Sequence, residues 1–186
     1  MQDFLLQQKE EEAQMNIKAI IYTSNTGYTR KYAQMLALKT GLEAFELGKV
    51  PGKISKGSSV IYMGWLKAGR LMGIDKAAKE YSLAAVCAVG MGAQNSSQAA
   101  GVQRTYRLQV PVFYLQGGFD MDKLHGMDRF MMQCMVKLQL PRLEKKKNRT
   151  AEEEDMLMFM KKGGDKVSEK NLGSILNWYE KEKQQG

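Results

Sequence analysis

Ser24-Asn25-Thr26-Gly27-Tyr28-Thr29 brings three aliphatic hydroxyls, one carboxamide and a glycine into six residues. An apolar run, Ile17–Thr23, precedes it, and a helix-prone segment starts near Tyr28. A strand-loop-helix junction of this kind is an anion site. Amide groups at a helix start have no intrahelical acceptor, and the helix dipole favours negative charge there. The hydroxyls and the carboxamide add donors that suit a phosphate. No lysine lies within the loop, so the site reads as a neutral nest of donors. A Gly-Lys-Ser/Thr ending and three spaced glycines are both absent, which excludes the Walker and dinucleotide fingerprints. The plainer alternative is a capped helix start, with Ser24 or Asn25 as the cap.

The elements that must hold this loop are legible in the hydrophobic pattern. Strands are expected at Ile17–Thr23, Glu43–Leu47, Ser59–Gly64, Ala84–Val89 and Val110–Leu115. Helices are expected from Tyr28 to Thr40, Asp75 to Tyr81 and Gln94 to Arg107. Gly41 is a plausible stop for the first helix, and Pro51 and Gly52 mark a turn-rich connection. Apolar strands alternating with helices argue a parallel sheet covered on both faces. Right-handed crossovers leave few topologies. A three-layer α/β sandwich fits, its five-stranded parallel sheet in the order 2-1-3-4-5. Its ligand crevice lies at the carboxyl ends of the first and third strands. The 24–29 loop and the segments after the third and fourth strands converge there.

The hexapeptide resembles the FMN-phosphate loop of flavodoxins, Thr/Ser-x-Thr-Gly-x-Thr at the end of the first strand, with no departure. The resemblance implies a flavodoxin-like fold that binds FMN noncovalently, with Ser24, Asn25, Thr26, Gly27, Tyr28 and Thr29 around the phosphate. It also implies that Gly64, Trp65, Leu66, Lys67, Ala68 and Gly69, read as a loop after the third strand, flank the isoalloxazine ring. Trp65 would stack on a ring face, or else be a packing residue. Gly64 and Gly69 would let backbone groups approach the ring edge. Met91, Gly92, Ala93 and Gln94 would form the second wall, on position alone. That second segment lacks the ring-flanking aromatic of many carrier flavodoxins. Lys67 and Arg70 would lie near the ring and favour its reduced, negatively charged form, unless both are simply solvated.

The chain has 186 residues, enough for one domain with a real core. Hydrophobic residues are 44% and charged residues 26%, a globular rather than disordered composition. The formal net charge is +8, whereas carrier flavodoxins are typically acidic, so an anionic partner is expected. Nucleic acid is not expected, because the cations are not interleaved with aromatics. Cys87 and Cys134 read as reduced thiols of a cytoplasmic protein. His125, the single histidine, cannot anchor a metal alone. No apolar run is long enough to span a bilayer. Residues 1–14 read as a polar, dispensable N-terminal extension without signal-peptide features, ahead of a domain over 15–186.

Past the fifth strand the chain makes an excursion, at about 121–162, before a single closing helix. Leu124 to Leu140 carries apolar residues at helical spacing, with Phe130, Met132 and Val136 widening the apolar sector. Residues 121–150 hold eight Lys/Arg against three Asp/Glu, most of the chain's excess positive charge. A second Met patch, Met156–Met160, follows the acidic run Glu152–Asp155. A broad apolar helix beside a basic cluster reads as a surface for a membrane or an acidic protein, standing apart from the cofactor site. The alternative is a Met-rich core helix with a solvated lysine loop.

This arrangement, with Asp128-Arg129-Phe130-Met131 leading into a Met/Lys-rich helix, resembles the bacterial flavodoxin-type protoporphyrinogen IX dehydrogenases. That resemblance implies an FMN-dependent oxidoreductase passing electrons to quinone, peripheral at the inner face of the membrane. Here Phe119–Gly126 stands where a stretch rich in Tyr, Arg and Trp would be expected. Two other readings remain: an electron-transfer or regulatory protein docking an acidic redox partner, and a scaffold that has lost FMN.

Overall fold

In the computed structural model, residues 16–52, 54–94 and 96–184 are described. The expected extension, 1–14, lies outside them. The first half of the chain runs β1 (Ala19–Tyr22), α1 (Tyr28–Thr40), β2 (Glu43–Glu46), β3 (Ser59–Lys67), β4 (Arg70–Leu71) and α2 (Ile74–Glu80). Then come β5 (Ser82–Gly90), α3 (Ser96–Tyr106), β6 (Val112–Gln116) and β7 (Gly118–Phe119). The last third holds α4 (Gly126–Lys145), α5 (Ala151–Lys162), β8 (Gly164–Asp165) and α6 (Gly173–Gln184).

Five strands pair in parallel in the order β2-β1-β3-β5-β6, the flavodoxin-like order expected from the sequence. All four residues of β1 are buried, as a strand covered on both faces requires. Successive side chains leave on opposite faces. Ile20, Ile61, Met63, Cys87 and Leu115 pack with Tyr32, Ala33 and Leu36 of α1 and Ile175 of α6. Ile21, Val60, Tyr62, Val86 and Ala88 pack with Ile74 and Ala77 of α2 and Val102 of α3. The result is a helix-sheet-helix sandwich.

One expected loop is a strand. β3 does not stop at Gly64, because Leu66 and Lys67 pair antiparallel with Leu71 and Arg70 of β4. Gly64, Trp65, Leu66 and Lys67 are therefore strand residues, and only Ala68 and Gly69 form the turn. Their φ values, 47° and 77°, are both positive, as a two-residue hairpin turn matching strand twist demands.

β7 and β8 pair antiparallel, Gly118 with Asp165 and Phe119 with Gly164, so the excursion leaves and rejoins the sandwich at one two-stranded stem. Its first helix extends past Pro141 to Lys145, a turn beyond expectation. Arg149 accounts for this end: its Nη1 donates to the carbonyls of Leu143, Glu144 and Lys146. Its Nε pairs with Glu154, and Lys146 pairs with Glu153. Thr150 and Glu153 form a reciprocal capping box on α5. Two cations of the expected docking cluster, Lys146 and Arg149, are thus paired within the excursion, and Lys145, Lys146 and Lys147 are all exposed. The second Met patch is partly core, since Leu157, Phe159 and Met160 are buried. Among the described residues, no helix is long and apolar enough to cross a membrane.

Candidate functional site

The site begins where β1 ends. Thr23 N–H donates to Met63 O, keeping β1 and β3 together up to the loop. Gly27 then turns the chain with φ 92°, a left-handed conformation a side chain would strain. The first α1 bond runs from Lys31 N–H to Gly27 O. The N-cap is Gly27, with no side-chain cap, rather than Ser24 or Asn25, and Ser24 Oγ accepts from Arg30 N–H at 3.3 Å from further up the loop. The amides of Tyr28 and Thr29 are first-turn donors without an intrahelical acceptor, the arrangement that favours an anion.

A cleft opens beside these donors. Asn25, Thr26, Tyr28 and Thr29 line it from the loop, Trp65 and Leu66 from β3, and Val89 and Met91 from the end of β5. Gly117, Gly118, Phe119 and Asp120 line it from the stem of the excursion, and Leu124 and Met132 from the excursion itself. The Tyr28 ring lies against Gly118, where a Cβ would come within 2.2 Å of it. Burial pushes the Tyr28 phenol above its ordinary pKa, against the pull of Lys123. Lys123 Nζ and Lys31 Nζ stand 5.1 and 5.7 Å from the ring centroid. Both ammonium groups are ion-paired, Lys31 with Asp165 and Lys123 with Asp120, so the charge beside the loop comes from outside it and is balanced there, which the motif alone does not reveal.

The residues expected around the ring divide. Trp65, Leu66 and Met91 line the cleft. Gly64 serves packing instead: a Cβ there would lie 2.8 Å from Met72 O. Gly69 serves the hairpin turn together with Ala68. Arg70 is exposed. Lys67 turns to the excursion, where it pairs with Asp128. Gly92 and Ala93 border a separate groove of about 400 Å3, shared with Gln139, Arg142 and Met156. Gln94 Nε2 donates to Asn171 O, tying its loop to the segment before α6. Tyr114 Oη donates to Gly92 O at 2.9 Å, fixing the second loop, and burial pushes that phenol's pKa up.

Sequence reasoning missed the stem and excursion residues. Nothing in the sequence pattern places Gly117-Gly118-Phe119 against Tyr28. Asp128 accepts from Asn25 Nδ2 at 3.1 Å as well as pairing with Lys67, so the excursion meets the cleft rather than standing apart from it.

The donor set suits a phosphate, and the apolar and aromatic lining suits a flat ring. Free space in the cleft is only about 80 Å3. Pockets for cofactor-sized ligands run to roughly 300–1,000 Å3. The residues therefore fit FMN in kind. No curated protein and no solved structure matches the chain. A family model described as the flavodoxin domain matches residues 19–142, well over half of the chain and every strand of the parallel sheet. Sheet order, phosphate-type loop and family match agree, and the chain belongs to the flavodoxin domain family.

Proposed function

We propose that the protein is an FMN-dependent oxidoreductase of the type resembling flavodoxin-like protoporphyrinogen IX dehydrogenases, with quinone as electron acceptor. The observation that carries this reading is the start of α1, which presents uncommitted amides and Thr26 and Thr29 to a cleft walled by Trp65, Leu66, Val89, Met91 and Phe119. Ser24, Asn25, Thr26, Gly27, Tyr28 and Thr29 would hold the phosphate. Trp65, Leu66 and Met91 would contact the ring, while Gly64, Lys67, Ala68, Gly69, Gly92, Ala93 and Gln94 would support its two walls at a distance. Bound FMN supplies the electron and hydride chemistry. The chain binds and orients it, and the apolar lining excludes water from one side. No side chain is assigned a catalytic role.

FMN titration followed by intrinsic tryptophan fluorescence tests the binding. Anaerobic oxidation of a porphyrinogen with a quinone acceptor tests the activity. FMN binding without turnover would favour the second reading, an electron-transfer or regulatory protein. One observation supports a docking role in either case. The exposed outer side of α4 carries Met127, Phe130, Met131 and Leu138, with Lys137, Arg142 and Lys145 exposed on the same helix. Apolar and cationic groups together suit a peripheral contact with anionic lipid at the inner face of the membrane, or with an acidic redox partner. Co-sedimentation with anionic vesicles at low and high salt distinguishes the two.

A further inference from the structure

We propose that the excursion is a movable wall of the flavin cleft and that Asp128 is the latch holding it shut in the FMN-free protein. This rests on the reading of the cleft as an FMN site. Three observations carry it. First, Asp128, in the first turn of α4, joins two separate loops of the site: it accepts from Asn25 Nδ2 and pairs with Lys67 Nζ. Second, the excursion forms one wall of a cleft with little free space. Leu124 and Met132 lie on its lining, and about 80 Å3 is left beside them, too little for an isoalloxazine ring until they withdraw. Third, α4 can withdraw without dismantling the sandwich. It has no buried residue, and Leu124 belongs to a small cluster with Phe119 and Phe159, outside the two sheet-face cores.

The latch has a direct physical consequence. The Asn25 carboxamide lies on the cleft lining and is a donor suited to the acceptor atoms of FMN, and in the closed arrangement the Asp128 carboxylate already holds it, with Lys67 fixing that carboxylate from outside the lining. Asp128 therefore competes with the ligand for a donor that would bind it. Opening precedes entry, and apparent affinity is lowered by the fraction of molecules that are open.

Hydrogen exchange of the FMN-free protein and stopped-flow FMN binding test this with Asp128→Ala, Lys67→Ala and the double variant. Asp128→Ala should speed exchange across α4 and leave β1, β3 and β5 unchanged. It should raise the FMN association rate by about tenfold, as expected where a site is open about one-tenth of the time. Lys67→Ala should speed α4 exchange too, and the double variant should add little, because both remove one interaction. Unaltered α4 exchange in Asp128→Ala, or FMN association no faster than wild type, would overturn the latch. Failure of the wild type to bind FMN would instead sink the flavin reading, and α4 exchange would still judge the latch itself.

Discussion

Helices α1 and α4 are both rich in apolar residues, yet α1 buries Tyr28, Thr29, Tyr32, Ala33 and Leu36 whereas α4 buries nothing. In α1 the buried positions recur at three to four residues and form one face, which the sheet covers. In α4 the apolar residues surround the helix. Met132 and Val136 are half-buried toward the stem cluster, while Met127 and Phe130 are 69% and 59% exposed. Apolar content is similar, and the presence of a sheet face to cover it is not. The candidate site is built where these two regimes meet. Its phosphate side rests on the sandwich, and its opposite side rests on a helix held by a few polar contacts and a small apolar cluster.

The thiols sharpen this contrast most. Cys87 in β5 is fully buried, and desolvation pushes its pKa up, whereas Cys134 on α4 is exposed. A thiol reagent should modify Cys134 at once and Cys87 only through opening of the sandwich, slower by about a thousandfold or more for a domain of ordinary stability. Comparable rates would break the distinction between a rigid core and a superficial helix.

On the phosphate side, Thr26→Ala with Thr29→Ala should weaken FMN binding by about a hundredfold or more, since each hydrogen bond to a charged group contributes roughly 1.5–3 kcal/mol. Fluorescence titration measures it, and unchanged affinity would remove the loop from the site. Next in size, Leu36→Ala in α1 should cost about 2–5 kcal/mol of unfolding free energy, and Leu138→Ala in α4 no more than about 0.5 kcal/mol. Equal costs in urea melts would show that α4 is covered in solution.

A smaller effect comes from Tyr62, whose Oη bonds Met72 O at 2.5 Å and Thr23 Oγ1 at 2.9 Å below the loop. Burial pushes its pKa from 10.0 to about 12. The folded state thus favours the neutral phenol, and its contribution is intact below pH 10 and lost as the pH rises toward 12. Tyr62→Phe should flatten that part of the stability–pH curve. The smallest expected effect is Thr150→Ala, which removes a cap from α5 at a cost of about 1 kcal/mol. Because α5 belongs to the excursion, the loss should register in exchange of α5 and leave exchange of β1, β3 and β5 unaltered.

The sandwich was legible because its signals are local and repeated. Apolar strands of the right length, Gly41 as a helix stop and the Ser24–Thr29 loop each announce themselves without reference to distant residues. Boundaries failed where pairing decides them. Nothing in Gly64-Trp65-Leu66-Lys67 distinguishes a loop from a strand until Arg70 and Leu71 are seen to fold back on it. Ion-pair partners were hidden for the same reason. Lys146 and Arg149 stand in a basic run, but Glu153 and Glu154 lie a few residues further on and claim them once the α4–α5 turn forms. The far side of the site was the least legible. Asp128 lies 103 residues from Asn25, and short-range periodicity carries no information about a contact of that separation.

The β7–β8 stem carries one more consequence. Residues 119 and 164 are cross-strand partners, so everything between them departs and returns through adjacent points of the backbone. Such an attachment makes the segment a cassette. Its length and composition can change without stretching the frame, because joining neighbouring points by a short turn satisfies the same geometry as joining them by two helices. A family built on this frame can therefore exchange one cassette for another, and with it the wall that a cofactor or substrate meets, while the phosphate loop and the sheet beneath it stay as they are.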